Sequence, residues 1–159
     1  MRATPSDRPR PLRILIETSV LLTYLASRNR RRTAVHQLLA SASLGMVTLL
    51  WAEPIADEAI RKAAQKSLLR EVIGDDRMRN VLTILQNLAD PIPTQFGPYP
   101  LVCRDANDDY VVAHARAGYA DIVVTLDRDL LALGDYAGVL FVKPGAALAL
   151  LRAEGFNLD

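Results

Sequence analysis

An α/β fold built on a parallel sheet is what this sequence predicts, and three observations carry it. Short apolar runs rich in branched residues recur at residues 13–16, 46–50, 121–125 and 139–142, as strands buried on both faces require. Stretches with helical spacing lie between the runs, the alternation that places helices on both sides of a sheet. No internal repeat or linker divides the chain, and 159 residues, half of them apolar, suffice for one core.

Each element has its own local reason. After the strand at 13–16, residues 18–26 carry Val20, Leu21, Leu22, Tyr24 and Leu25, which suit a buried helix. Residues 28–32 read as a loop, and 33–42 as a helix with Val35, Leu38 and Leu39 on one face. Gly45 breaks that helix before the second strand. Pro54 suits the first turn of a helix to residue 65, because proline there lacks only an amide that would be unpaired anyway. Two helices follow at 68–73 and 76–88, separated by Gly74 with Asp75 as N-cap. Five Pro and Gly residues make 91–100 an irregular loop. Asp105 caps a helix over 107–118 that stops at Gly118. A short helix at 129–133 and a last one at 144–153 flank the final strand.

Composition excludes several classes. A formal charge of +1 is silent on a nucleic-acid partner. A single cysteine, Cys103, rules out an internal disulfide, and two isolated histidines make no zinc pattern, so a reduced cytoplasm is the expected setting. Residues 1–12 read as a disordered basic tail without the apolar region of a signal peptide, 13–153 as the domain and 154–159 as a second tail. No apolar run reaches the roughly 18 to 20 residues of a membrane span. No G-x-G-x-x-G follows the first strand, against a dinucleotide fold. A phosphoacceptor would need a nucleophilic Asp where Glu17 stands.

Carboxylates are the chemistry-bearing groups. If the strands at 13–16 and 121–125 are parallel neighbours, Glu17 and Asp127 both emerge at the carboxyl edge, where α/β folds gather ligands. Asp105, Asp108, Asp109 and Asp129 lie close by in sequence. A carboxylate pair about 4 Å apart costs on the order of 1–4 kcal/mol, so a cluster calls for a cation. Oxygen donors select Mg²⁺ or Mn²⁺, and phosphodiester hydrolysis is the usual chemistry of such a site. Each acid also has a bland role: Asp105, Asp108, Asp127 and Asp129 suit helix N-termini, and Glu58 an exposed face. Glu17, placed between a buried strand and an apolar helix, is the hardest to dismiss. Arg28, Arg30, Arg31 and Arg32 form a basic knot, which taken alone reads as solvated surface.

The sequence resembles the PIN domain ribonucleases from about residue 13 to 151. The most specific part is Arg104-Asp105-Ala106-Asn107-Asp108-Asp109, followed by Ala120-Asp121-Ile122-Val123-Val124-Thr125-Leu126-Asp127-Arg128-Asp129-Leu130-Leu131. It is similar to the R-D-x-x-D-D … A-D-x-x-V-T-x-D-x-D-L-L pattern of the subgroup assigned to toxins of toxin–antitoxin pairs. Ile16-Glu17-Thr18-Ser19-Val20-Leu21 sits where that family has D-T-N/S-V-L, and residues 52–58 match the helix start that supplies a second acid. The resemblance implies a three-layer α/β/α sandwich around a mainly parallel sheet. It implies that Glu17, Glu58, Asp108 and Asp127 bind Mg²⁺ or Mn²⁺ and act in catalysis. Asp105 and Asp129 would stand behind them, while Ser19 and Thr125 orient carboxylates or water. It further implies cleavage of single-stranded RNA, a cognate antitoxin and a homodimer, and under it Arg28, Arg30, Arg31 and Arg32 read as an RNA-binding rim of the acidic pocket. Glu17 departs from the family's Asp, and an extra methylene displaces the carboxylate by roughly a bond length. Two readings therefore stand: a ribonuclease, and a weakened or inactive module that binds RNA or a protein.

Overall fold

The central strand of the sheet, β1 (Leu12–Ile16), is apolar through its last three residues, which are buried on both faces. The computed structural model describes residues 10–154. After β1 come α1 (Thr18–Ala26), a 3₁₀ turn at Arg30–Arg32, α2 (Ala34–Ser43) and β2 (Val47–Trp51). Three helices follow, α3 (Glu53–Gln65), α4 (Ser67–Ile73) and α5 (Asp75–Leu88), then β3 (Asp90–Pro91). A second 3₁₀ turn at Ala106–Asp108 leads into α6 (Asp109–Ala117), β4 (Ile122–Val124) and α7 (Arg128–Leu131). The chain closes with β5 (Asp135–Tyr136), β6 (Val139–Val142) and α8 (Pro144–Ala153).

Six strands among the described residues form one sheet in the order β3-β2-β1-β4-β6-β5, all parallel except β5. Helices flank it on both sides, so the fold is the expected α/β/α sandwich with a mainly parallel sheet. α2 packs on α8 and β2, whereas α1, α3, α4 and α5 pack on one another. Ile14, Leu15, Val123 and Val124 make the dry centre of the main core. A second cluster around Leu22, Leu25, Ala59 and Met78 joins the α1, α3 and α5 helices. Gly118 ends α6 where a Cβ would lie 2.7 Å from the Ile92 side chain, so the close approach of the loop requires glycine.

Element boundaries depart from expectation in physically interpretable ways. β3 and β5 have two residues each, too short to leave a period-two pattern. Gly74 rather than Asp75 is the N-cap of α5, with Asp75 and Asp76 in its first turn beside the positive helix end. The 28–32 loop contains a 3₁₀ turn. In the segment expected to be a tail, Leu12 already pairs with Val47, and Arg10 grips Asp121 through two bonds of 2.8 and 2.9 Å. Of the tails expected at 1–12 and 154–159, residues 1–9 and 155–159 lie outside the described residues. No helix among the described residues is long and apolar enough to cross a membrane.

Candidate metal centre

From β1 the chain passes to β2 on one side, and its other neighbour in the sheet is β4, so the strand order switches direction between β1 and β4. A crevice opens at the carboxyl ends of two such strands. Glu17 leaves β1 with its amide bonded to the Val124 carbonyl at 3.0 Å, and Asp127 follows β4 by three residues. The register that pairs Ile16 with Val124 thus delivers both acids to one edge.

Glu17 is only 5% exposed and caps α1. Its Oε2 accepts the Ser19 amide at 3.1 Å, the Thr125 hydroxyl at 2.8 Å and the Ser19 hydroxyl. Those hydroxyls in turn accept the amides of Leu126 and Asp127, each at 3.0 Å. Ser19 and Thr125 therefore tie Glu17 to the loop that carries Asp127. Burial pushes the Glu17 carboxyl above its usual range, the Ser19 and Thr125 donors oppose that, and the nearby Asp127 charge adds to it.

Three acids converge. Asp105, Asp108 and Asp129 each offer an oxygen within 4.8 Å of the others. Ligand oxygens about 2.1 Å from one Mg²⁺ are themselves at most about 4.2 Å apart, so little closure separates this group from a coordination sphere. Asp105 and Asp127 are positioned by capping: Asp105 accepts the Asn107 amide at 2.9 Å, and Asp127 accepts those of Asp129 and Leu130 at 2.9 and 3.1 Å. Asp108 has no such capping bond. Burial, then the charges of Asp127, Asp105, Glu17 and Asp129, push its carboxyl up to about 6. An all-oxygen donor set under mutual repulsion fits a hard divalent cation.

Glu58 lines the same cleft, of about 740 Å³, together with Asp105, Asp108 and Asp127. Its carboxylate is engaged by the Tyr110 hydroxyl, by Lys62 at 3.0 Å and by Arg61 at 3.6 Å. Asp105 and Asp129, expected behind the ligands, stand in the close group with Asp108, while Glu17 is held by its cap and Glu58 by Tyr110 and Lys62. None of Arg28, Arg30, Arg31 and Arg32, expected on the rim, lines this cleft. α1 has nine residues and spans about 14 Å, so the turn at Arg30–Arg32 lies beyond its far end. The cations at the acids are Arg61, Lys62 and Arg104, the last 3.1 Å from Asp129. The Glu58 to Lys62 spacing of four was readable in the sequence; nothing in it pointed to Tyr110.

Asp109, unassigned by the sequence reading, is 2% exposed and holds the preceding loop, accepting the amides of Val102 at 3.0 Å and Cys103 at 2.7 Å. Burial pushes its carboxyl up, but the two amides and the Cys103 thiol outweigh this and hold it below the usual range. Its contribution is therefore complete above the unfolded-state value near 3.8 and lost as pH falls through the lower folded value. Asp109→Ala orphans two amides and is expected to cost about 2–4 kcal/mol at neutral pH, read by denaturant unfolding. A loss under about 0.5 kcal/mol would contradict this role. Burial and Asp109 raise the Cys103 thiol to about 12, so it supplies no thiolate at neutral pH. His114 accepts the Gln95 amide at Nε2, which leaves the proton on Nδ1 for the Tyr110 carbonyl at 2.7 Å. It is a structural residue of α6.

No curated protein matches this sequence significantly. The fold is similar to the crystal structure of PAE2754 from Pyrobaculum aerophilum at a TM-score of 0.50 and 16% identity, covering 90% of this chain and 98% of that one. A PIN domain family model matches residues 13–129, a span that contains Glu17, Glu58, the close acidic group and Asp127. Members of that family are generally metal-dependent nucleases, and the chain described here belongs to the PIN domain family.

Proposed function

We propose that the protein is an endoribonuclease that hydrolyses single-stranded RNA with Mg²⁺ or Mn²⁺. The convergence of Asp105, Asp108 and Asp129 beside Glu17 and Asp127 is the observation that carries this reading. Asp108, with Asp105, Asp129 and Asp127 around it, would hold the ion, and Glu17 and Glu58 would complete the acidic ring. A bound divalent ion supplies an activated water and offsets charge on the phosphodiester. The chain's own residues do the positioning: Ser19 and Thr125 fix Glu17 against the Asp127 loop, and Tyr110 fixes Glu58. Arg61 and Lys62 bring positive charge to the same cleft, where it meets RNA phosphates. The role as toxin of a toxin–antitoxin pair, the homodimer and the cognate antitoxin rest on the likeness of the Arg104 to Leu131 motif to that subgroup, and a cytoplasmic setting on the single cysteine, Cys103.

The test is incubation of the purified protein with an unstructured RNA oligonucleotide and Mn²⁺, beside a chelator control. Cleavage that persists in the chelator would remove the metal, and no cleavage with any divalent ion would remove the activity. The engagement of Glu17 by three donors on one oxygen favours a second reading, a module that binds RNA without cutting it. Binding without cleavage would select that reading.

Affinity for Mn²⁺ should depend on pH in a defined sense. A carboxyl at about 6 must lose its proton before it can act as a ligand, so affinity is expected to climb from pH 5 to 7 and then level off. Titration calorimetry across that range measures it, and a flat profile would contradict the assignment of Asp108.

A further inference from the structure

We infer that a single RNA strand leaves the acidic cleft along the outer face of α1, over a cationic groove that ends at the arginine turn. The inference rests on the ribonuclease reading and names the substrate path of the same site. Lys62 lines both the acidic cleft and a second groove of about 610 Å³ between α1 and the α3–α4 junction, so the two hollows lie side by side. The α1 wall of that groove is Ser19, Leu22, Thr23, Ala26 and Ser27, the spacing of one helix face. Its opposite wall carries Lys62 and Lys66.

Charge and length favour nucleic acid over a protein segment. Lys62 is paired with Glu58 at 3.0 Å, Lys66 makes no ion pair with a carboxylate among the described residues, and the groove's lining contains no acid. Ser19 and Ser27 are eight residues apart, about 12 Å along the helix, or roughly three stacked nucleotides at about 3.4 Å each. Beyond Ser27 the chain turns directly into exposed Arg28 and the 3₁₀ turn. There Arg31 and Arg32 are exposed and Arg30 is partly so. The arginine knot, outside the lining of the acidic cleft, is therefore placed at the downstream end of the track.

The experiment measures binding of a fluorescent 12-nucleotide uridine-rich RNA against salt concentration, in the Asp108→Asn background so that bound RNA stays intact. Adding Lys66→Gln and Arg28→Gln should weaken binding about 10-fold at low salt and flatten the salt slope by about 1.4, since each lost phosphate contact is worth about 0.7. Lys66→Arg should keep the slope. Thr23→Arg, adding charge on the exposed α1 face, should steepen it by about 0.7. An unchanged slope in the Gln double variant, with the wild type still cutting RNA, overturns the track alone and leaves the groove to a protein partner. If the wild type neither cuts nor binds the RNA, the ribonuclease reading falls and the track with it.

Discussion

Asp108→Asn is expected to lower metal-dependent RNA cleavage by at least 10²-fold while raising the melting temperature of the metal-free protein. The two effects have one cause. Asp108 carries a carboxyl pushed up to about 6 by burial and by four surrounding acids, so its ionised form is costly until a cation offsets it. A folded-state value above the unfolded one near 3.8 means that the native state binds the extra proton. The penalty therefore accumulates between those two values, is constant above pH 6, and is absent below the unfolded value. Discounted for the solvent that reaches this partly buried group, removing the charge is worth about 1 kcal/mol, or a rise of about 2–4 °C in a chain of this size. The catalytic loss is larger, since the central ligand of a positioned site is gone. Mn²⁺ should raise the melting temperature of the wild type and leave that of the variant nearly unchanged. Scanning calorimetry at pH 7.5 and pH 4, with the cleavage assay, reads all of this. A variant that cuts like the wild type, or that melts lower without metal, would remove Asp108 from the centre of the site.

The outcome also bears on how far the site can be read from sequence. Branched apolar runs made β1, β2, β4 and β6 legible, because strands buried on both faces leave an unbroken signal. The acids at their carboxyl ends were legible for the same reason, since a carboxylate that ends such a run has to be accounted for. What the chain could not express locally was the choice between neighbours. Asp108 and Asp109 are adjacent, yet one belongs to the acidic group and the other is buried against the Val102 and Cys103 amides. That division depends on a 3₁₀ turn ending at Asp108 before α6 begins, a geometry that caps and periodicity do not specify. The bond between Tyr110 and Glu58 joins residues 52 positions apart and has no local trace. The arginines pose the converse case: their place after α1 was legible, but which hollow they border depends on how α1 packs, and the lining of the acidic cleft does not include them.

Glu17 is where stability and activity should separate most sharply, and two substitutions divide them. Glu17→Ala removes the one acceptor shared by the Ser19 amide, the Ser19 hydroxyl and the Thr125 hydroxyl. Losing the cap costs about 1 kcal/mol, and orphaned buried donors cost about 1–3 kcal/mol more. With Ser19 and Thr125 released, the amides of Leu126 and Asp127 lose their fixed acceptors, so the loop bearing Asp127 loosens as well. Activity should fall by well over 10²-fold, a displacement of about 1 Å in such a site being enough for that. Glu17→Gln keeps an oxygen for all three donors and removes the charge that burial opposes, so the fold should stay within about 1 kcal/mol of the wild type. Its cleavage rate should still drop by about 10²-fold if the charge itself serves the metal. A Gln variant as active as the wild type would reduce Glu17 to a cap that aligns Asp127, and would shift the chemistry onto Asp108 and the acids grouped with it. Denaturant unfolding and RNA cleavage on both variants distinguish these outcomes, because only a charge-dependent role predicts a stable but inactive Gln protein.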